Sequence, residues 1–288
     1  MRICGIVVTY FPNIQESERN IRQYIDAIDH LIIWENTPLE ESPTYKLLLP
    51  DKDDKITYMG TGENMGISYA LNQALDYASN NGFTHLLTMD QDSFWVDFEL
   101  FKMFVSLNNP ADTIFGPLIN NENPTIVNKK LDFMITSGML LPIAVLQKLG
   151  GYWEKLKIDG IDTELFYRAK QVGVKIRKSP VGHLFQQFGT FSSFQILGCR
   201  ISYSEYSSFR LYGILYNRMI IMRMYKTSLK YIISTIKTPF SFSLKILLSD
   251  ESNKFRKICA IWRGCWMGLT CNINKLCPIR PQEINFNK

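Results

Sequence analysis

The sequence lacks the features that mark several common classes of protein. Its six cysteines form no Cys-x-x-Cys pair, which disfavours zinc and redox motifs and is typical of buried thiols in a reducing cytoplasm. No apolar stretch reaches the roughly 18 residues that span a bilayer, and residues 1–12 are apolar but too short for a signal peptide. The net charge of +5 is too small by itself to indicate a nucleic-acid partner. We therefore expect a cytoplasmic protein with at most peripheral membrane contact.

The composition is otherwise ordinary for a folded protein. The chain has 288 residues, of which 46% are hydrophobic and 20% are charged. That length allows one large α/β domain with an appendage, or two small domains. The basic residues are unevenly distributed, because beyond Arg200 they are dense and lie among aromatic residues. The last third of the chain therefore differs in character from the rest.

Strand-like and helix-like segments alternate along the chain. Short apolar runs predict strands, and apolar residues spaced three and four apart predict helices. The predicted strands are 3–10, 30–34, 55–59, 84–89, 135–141 and 174–176. The predicted helices are 17–28, 67–78, 143–148 and 161–172. This alternation is typical of an α/β sheet.

An acidic turn, Asp90-Gln91-Asp92, directly follows one of the apolar strands. The carboxyl ends of parallel strands are where α/β sheets bind ligands. Two carboxylates at this spacing can reach a divalent cation and the ribose or diphosphate of a nucleotide, and Mg²⁺ or Mn²⁺ suits such oxygen ligands. The alternative is that the pair only fills a turn, since Asp-x-Asp also occurs by chance.

Several short motifs occur in a particular order along the chain. They are Val7-Val8-Thr9-Tyr10, Asn36, Asn64-Met65-Gly66, Thr88-Met89-Asp90-Gln91-Asp92-Ser93, Thr136-Ser137-Gly138 and residues 158–168. Together they resemble the family 2 glycosyltransferases, and the run around Asp90 is especially similar to the bacterial rhamnosyltransferase branch. The resemblance covers roughly the first two-thirds of the chain. It implies a GT-A, Rossmann-like nucleotide-diphospho-sugar transferase fold.

The resemblance also implies which residues contact the sugar donor. Thr9 and Tyr10 would lie beside the nucleotide base, with Asn36 nearby. Glu35 stands where the family usually has aspartate, and would contact the base or ribose. Asp90 would approach the ribose or diphosphate, and Asp92 would be the main protein ligand of the metal. The remaining implied donor-site residues are Asn64, Gly66 and Gln91.

Other residues are implied in acceptor binding and catalysis. Asp162 would be the general base that deprotonates the acceptor hydroxyl, and its place in or just before the first turn of its helix favours the ionised form. His183 would help to hold the metal or the diphosphate. The alternative is that His183 is a hydrogen-bonded structural residue. The implied acceptor-side residues are Ser137, Gly138, Glu164 and Arg168. Glu164 and Arg168 also have the spacing of a surface ion pair on a helix.

The segment 201–288 is predicted to be helical and to follow a catalytic domain at 1–200. Within that domain, residues 1–110 would form the nucleotide-sugar half and residues 111–200 the acceptor half. The basic and aromatic run 255–267 is typical of a helix in a membrane interface. A terminal helix that packs its aromatic face on the catalytic domain would have the same pattern.

The resemblance therefore implies an inverting glycosyltransferase at the inner face of a bacterial inner membrane. Its donor would be dTDP-rhamnose, and its acceptor a lipid-linked saccharide in O-antigen or capsule synthesis. One alternative is a hexosyltransferase that uses UDP-glucose or UDP-galactose. A nucleotidyltransferase is disfavoured because the first strand lacks a Gly-rich phosphate loop. The remaining alternative is a non-enzymatic, peripheral membrane-binding protein.

Overall fold

The computed structural model describes residues 1–41, 49, 54–120, 122, 134–156, 159–186, 191–196 and 199–276. Those residues form two compact units. The first contains the described residues within Met1–Lys157 and Ile161–Gln187. The second contains those within Ile158–Gly160 and Phe188–Pro278. The domain boundary near residue 200 stays a prediction.

The first unit alternates strands and helices. Its strands are β1 (Ile3–Thr9), β2 (His30–Glu35), β3 (Ile56–Gly60), β4 (His85–Asp90), β5 (Ser93–Trp95), β6 (Thr113–Ile119), β7 (Met139–Pro142) and β8 (Lys175–Gln186). Its α-helices are α1 (Ile14–Arg22), α2 (Ile67–Asn80), α3 (Phe98–Ser106), α4 (Ile143–Lys148) and α5 (Ile161–Gln171). Helix α1 begins before the predicted Ser17, because the Asn13 side chain caps it by accepting from the Glu16 N–H.

The described strands of this unit form one mixed sheet in the order β3-β2-β1-β4-β7-β6-β8-β5. Strands β1 to β4 are mutually parallel, and β7 runs antiparallel to its neighbours β4 and β6. Strand β1 is apolar at nearly every position because the core covers both of its faces: the adjacent residues Ile6 and Val7, which point to opposite faces, are both fully buried. The predicted α/β class is confirmed.

The second unit consists of a hairpin followed by helices. The hairpin pairs β9 (Phe191–Ile196) with β10 (Cys199–Ser204), and the helices are α6 (Ser208–Met224), α7 (Leu229–Leu248), α8 (Lys254–Thr270) and α9 (Ile273–Leu276). The predicted helical C-terminal segment is confirmed over these ranges. Helices α6 and α8 approach closely at Gly264, where an added Cβ would lie 2.5 Å from the Tyr212 carbonyl oxygen. No helix in the described part of the chain is long and apolar enough to cross a membrane.

Candidate active site

The parallel strands bring several predicted donor-site residues to one edge of the sheet. Thr9 is aligned with Glu35 between β1 and β2, and Val8 is aligned with Asp90 between β1 and β4. All three strands run in the same direction, so their carboxyl ends meet. The turns that hold Tyr10, Asn36 and Gln91 therefore lie side by side, as the resemblance implied.

Gln91 joins the ends of β1 and β4. Its side-chain oxygen accepts from the Tyr10 N–H at 2.7 Å, and its Nε2 donates to the Tyr10 carbonyl at 3.0 Å. The Asn20 Nδ2 donates to the Gln91 carbonyl at 3.2 Å. Because its amide is engaged with backbone, Gln91 positions the edge on which the donor would bind.

Two aromatic rings project from this edge. The Tyr10 and Phe11 side chains are each 47% exposed and contact one another edge to face. Phe11 adopts a left-handed backbone conformation with φ of 45°, which is uncommon for a bulky residue. Its N–H donates to Thr37 Oγ1 at 2.8 Å, so the turn is fixed by β2. The motif analysis missed Phe11, since its conformation is visible only in the folded chain.

Glu35 and Asn36 are buried and hold neighbouring loops. Glu35 accepts from the Thr37 N–H at 2.7 Å, and the Asn36 side chain accepts from the Met65 N–H at 3.1 Å. Thr9 is fully buried as well, and its hydroxyl donates to the Trp34 carbonyl. These buried side chains therefore support the backbone at the carboxyl ends of β1 and β2. Direct nucleotide contact by them stays a prediction.

The loop that leads into α2 is shaped by Asn64 and Gly66. The Asn64 side chain accepts from the Gly66 N–H at 3.1 Å, which makes a local turn. Gly66 has φ of 88° and directly precedes the first residue of α2. Gly66 is therefore required by backbone conformation, and donor contact by Asn64 stays a prediction.

The acidic turn is tied to the predicted Ser137-Gly138 motif. Asp90 donates its N–H to Ser137 Oγ at 3.1 Å, and Gly138 donates its N–H to the Thr88 carbonyl at 2.7 Å. Ser137 is fully buried, whereas Asp90 is half-buried and Asp92 is exposed. Asp92, which is predicted to bind the metal, is therefore the more exposed of the two carboxylates. Acceptor contact by Ser137 and Gly138 stays a prediction.

Gln186, at the end of β8, also reaches the acidic turn. Its Nε2 donates to Asp90 Oδ2 at 2.6 Å. Its backbone N–H donates to Asn120 Oδ1, and the Asn120 Nδ2 donates back to its carbonyl. The Gln186 Oε1 is buried and has no hydrogen-bond partner among the described residues. The motif analysis missed this residue because nothing local in the sequence links it to Asp90.

The structure does not bring His183 to Asp92. Strand β8 pairs with β5 so that Ser93 is aligned with Gln186, and the His183 carbonyl accepts from the Val96 N–H. Val96 is four residues beyond Asp92, which corresponds to about 13 Å along a strand. Among the described residues, no group of three or more His, Cys, Asp or Glu side chains is placed to hold a metal ion. A metal-binding role for His183 stays a prediction that this register does not support.

Asp162 lies in the first turn of α5, as predicted. It is half-buried, and its Oδ1 accepts from the Thr163 N–H at 2.7 Å. This placement at the N-terminal end of a helix stabilises the ionised carboxylate.

Glu164 and Arg168 form an ion pair that is buried, so the prediction of a surface pair is wrong. Arg168 Nη2 lies 2.8 Å from Glu164 Oε2, and both residues are less than 5% exposed. Arg168 also donates to the carbonyls of Leu149 and Gly151. The guanidinium thus fixes the loop that follows α4. Contact with the acceptor by either side chain stays a prediction.

Comparisons with known proteins agree with this architecture. No protein-family model matches the chain. A curated relative, the dTDP-rhamnosyl transferase RfbF of Shigella flexneri, is 22% identical over 275 residues, which cover 88% of this chain and 90% of that protein.

Solved structures of glycosyltransferases have a similar fold. GalNAc-T7 with UDP, GalNAc and Mn²⁺ matches with a TM-score of 0.59 and 12% identity, over 93% of this chain. The match covers 56% of GalNAc-T7, so the chain spans little more than half of that protein's length. S. aureus TarS 1-349 in complex with UDP-GlcNAc matches with a TM-score of 0.58 and 12% identity, over 96% of this chain and 84% of that one. The predicted GT-A fold is confirmed, and together with the likeness to RfbF it supports a glycosyltransferase that uses a nucleotide sugar.

Proposed function

We propose that the protein is an inverting glycosyltransferase that moves rhamnose from dTDP-rhamnose to a hydroxyl of a lipid-linked saccharide. The observation that carries the proposal is the shared edge of β1 and β4, where the acidic turn lies beside the exposed ring of Tyr10. A nucleoside diphosphate needs an apolar surface for its base and polar groups for its ribose and phosphates. The name of the relative RfbF supports dTDP-rhamnose as the donor.

In this proposal the base binds against the rings of Tyr10 and Phe11, which lie exposed at the end of β1. Asp90 accepts from the ribose hydroxyls, and Ser137 and Gln186 hold it in place from two sides. Gln91 keeps the β1 and β4 turns at a fixed separation through its paired hydrogen bonds. The donor site is thus largely preorganised, which lowers the entropic cost of binding.

The acidic turn has donor groups that fit a divalent cation. Asp92 offers an exposed carboxylate, and the buried Gln186 Oε1 beside Asp90 lacks a partner among the described residues. Such hard oxygen atoms suit Mn²⁺ or Mg²⁺, with the diphosphate oxygens as further ligands. When bound, the cation would neutralise the negative charge that develops on the departing nucleoside diphosphate.

Asp162 is the proposed general base. Inverting transfer requires removal of the acceptor proton as the hydroxyl attacks the anomeric carbon. Asp162 is half-buried at the start of α5, where the positive end of the helix dipole favours a carboxylate. The buried Glu164–Arg168 pair supports this site indirectly, because it anchors α5 to the 149–151 loop.

The broader setting is proposed on the same basis. Residues 1–200 would carry catalysis and 201–288 would contact a membrane surface, at the inner face of a bacterial inner membrane. A lipid-linked acceptor in O-antigen or capsule synthesis requires the enzyme to reach that surface. A hexosyltransferase that uses a UDP-sugar is the second candidate, and TarS, which has the same fold and was crystallised with UDP-GlcNAc, favours it.

Calorimetric titration with dTDP and UDP, each with and without Mn²⁺, tests the donor site. We expect metal-dependent binding that Asp92→Asn abolishes and that Asp76→Asn leaves unchanged. Asp76 is exposed in the last part of α2, which leads to the start of β4, whereas the acidic turn follows the end of that strand. Preference for dTDP supports the rhamnose donor, and preference for UDP supports the second candidate. If neither nucleotide binds with or without metal, the transferase proposal fails and a non-enzymatic membrane-binding protein takes its place.

A further inference from the structure

Helix α7 carries an apolar stripe on its exposed side. The stripe residues follow one another at intervals of three and four, so they share one face of the helix. Their exposed fractions range from 43% to 71%. They are Leu229, Ile233, Ile236, Phe240, Leu244 and Leu247.

The opposite face of α7 packs into its own unit. Thr235, Pro239 and Ile246 are buried there, and Phe242 contacts Tyr206. The bundle core therefore accounts for one apolar face of α7 and leaves the stripe without a covering element in the described residues. A surface helix that is apolar on two faces is unusual in a water-soluble protein.

Helix α8 extends the same surface. Phe255, Trp262, Trp266 and Leu269 recur at helical spacing and are 42% to 83% exposed. The Trp262 and Phe240 rings meet edge to face, with centroids 5.0 Å apart. This contact joins the two stripes into one continuous face, which we call the α7–α8 face.

Basic side chains outnumber acidic ones around the α7–α8 face. Between Glu205 and Asp250, and again between Glu251 and Lys275, the sequence contains lysine and arginine but no aspartate or glutamate. Lys230 and Lys237 are exposed on α7 beside the stripe, and Arg256 and Arg263 are exposed on α8. The surface therefore combines large apolar side chains with predominantly positive charge, and the exposed Asp250 in the turn between the two helices is an exception.

We propose that the α7–α8 face docks on an anionic lipid bilayer. Apolar and tryptophan side chains enter the headgroup boundary, and the flanking basic groups pair with lipid phosphates. A protein partner would need only the apolar stripe, whereas the predominantly basic surroundings match a negatively charged surface. The proposal deepens the membrane contact proposed above by naming its face and its lipid chemistry, and it is independent of the donor site.

Cosedimentation of the 288-residue chain with vesicles tests this assignment. We expect binding to vesicles that contain phosphatidylglycerol and little binding to vesicles of phosphatidylcholine alone. Phe240→Ser with Trp266→Ser should weaken binding by at least about tenfold, because two large side chains no longer partition. Lys230→Glu with Lys237→Glu should weaken it at least about fivefold for each lysine.

Matched variants on the first unit control for exposure and charge. Leu107→Ser removes an apolar side chain that is 77% exposed, and Lys148→Glu with Lys170→Glu changes two exposed lysines. Both should bind vesicles like the unmodified protein. Cooperative urea unfolding of the same preparations shows that each variant is folded without relying on nucleotide binding, so failure of this proposal stays distinguishable from failure of the donor site.

Three results would overturn the proposal. The first is equal binding to anionic and neutral vesicles, or no binding to either. The second is unchanged vesicle binding by the Phe240/Trp266 variant. The third is a lipid-free dimer, seen by sedimentation, that this variant dissociates, since the face would then belong to a second copy of the chain.

Discussion

Gln186 Nε2 lies 2.6 Å from Asp90 Oδ2, which links the end of β8 to the acidic turn after β4. The two residues are 96 positions apart in the sequence. Asn120 fixes the Gln186 backbone through two hydrogen bonds, so the amide has little freedom to leave the carboxylate. The Asp90 carboxylate is therefore oriented by a residue outside every motif of the sequence, whereas Ser137, which belongs to a motif, holds its backbone.

Replacement of Gln186 by alanine should weaken nucleotide binding. The variant loses one hydrogen bond to a charged group and the carbonyl oxygen that we propose faces the cation. We expect the dissociation constant for the nucleotide with Mn²⁺ to rise about tenfold, measured by calorimetry. Gln147→Ala, which removes an exposed glutamine on α4, serves as the control. Equal affinity of the Gln186 variant and the control would show that the contact with Asp90 has no part in donor binding.

Replacement of Asp162 by asparagine should slow transfer without weakening donor binding. The change keeps the shape of the side chain and its hydrogen bond from Thr163 but removes the proton acceptor. We expect kcat to fall by about 10²–10⁴-fold, with the nucleotide dissociation constant unchanged. Sugar transfer measured by release of the nucleoside diphosphate tests this. A variant that retains full kcat would exclude Asp162 as the base.

Disruption of the buried Glu164–Arg168 pair should destabilise the fold. Arg168→Met leaves the Glu164 carboxylate buried without its cation, which costs about 3–5 kcal/mol. Arg22→Met is the matched control, because the Glu18–Arg22 pair has the same spacing but is partly exposed, and its loss costs less than about 1 kcal/mol. Urea unfolding measures both. If both variants lose a similar free energy of unfolding, burial does not make the Glu164–Arg168 pair more important for stability than the Glu18–Arg22 pair.

The buried His85 should make the protein less stable in mild acid. Burial lowers the pKa of His85, and the hydrogen bond to the Pro110 carbonyl opposes that effect only in part. Below the ordinary pKa of about 6.5, the unfolded state therefore binds more protons than the folded state, and the free energy of unfolding falls as pH falls. His30, whose pKa is also lowered by burial, contributes in the same direction.

Urea unfolding at about pH 7 and about pH 5 checks this expectation. The free energy of unfolding should fall less between the two pH values in His85→Gln than in the unmodified protein. An identical fall in both proteins would mean that His85 does not couple protonation to folding. His183→Gln is the control, since it changes a histidine that is only half-buried.

Much of the fold could be predicted because it is encoded locally. Apolar runs such as the one that includes Ile6 and Val7 form strands buried on both faces, and the spacing of Ala70, Leu71 and Ala74 is that of the helix α2. The acidic turn could be placed for the same reason, since parallel strands end at one edge of a sheet. The sequence predicted the Gly138 turn and the start of β7 less well. A strand was predicted at 135–141, but β7 begins only at Met139.

The sequence by itself thus determined the α/β class, the helical C-terminal part and the strand end that carries Asp90 and Asp92. Only the tertiary structure decided that Gln186 reaches Asp90, that His183 is aligned away from Asp92, and that the Glu164–Arg168 pair is buried. The physical reason is that these relationships depend on how distant strands and helices pair and pack. Strand register between remote segments decides which side chains meet. Local periodicity fixes the face on which a side chain lies, but it does not identify the residue of a remote strand that lies opposite.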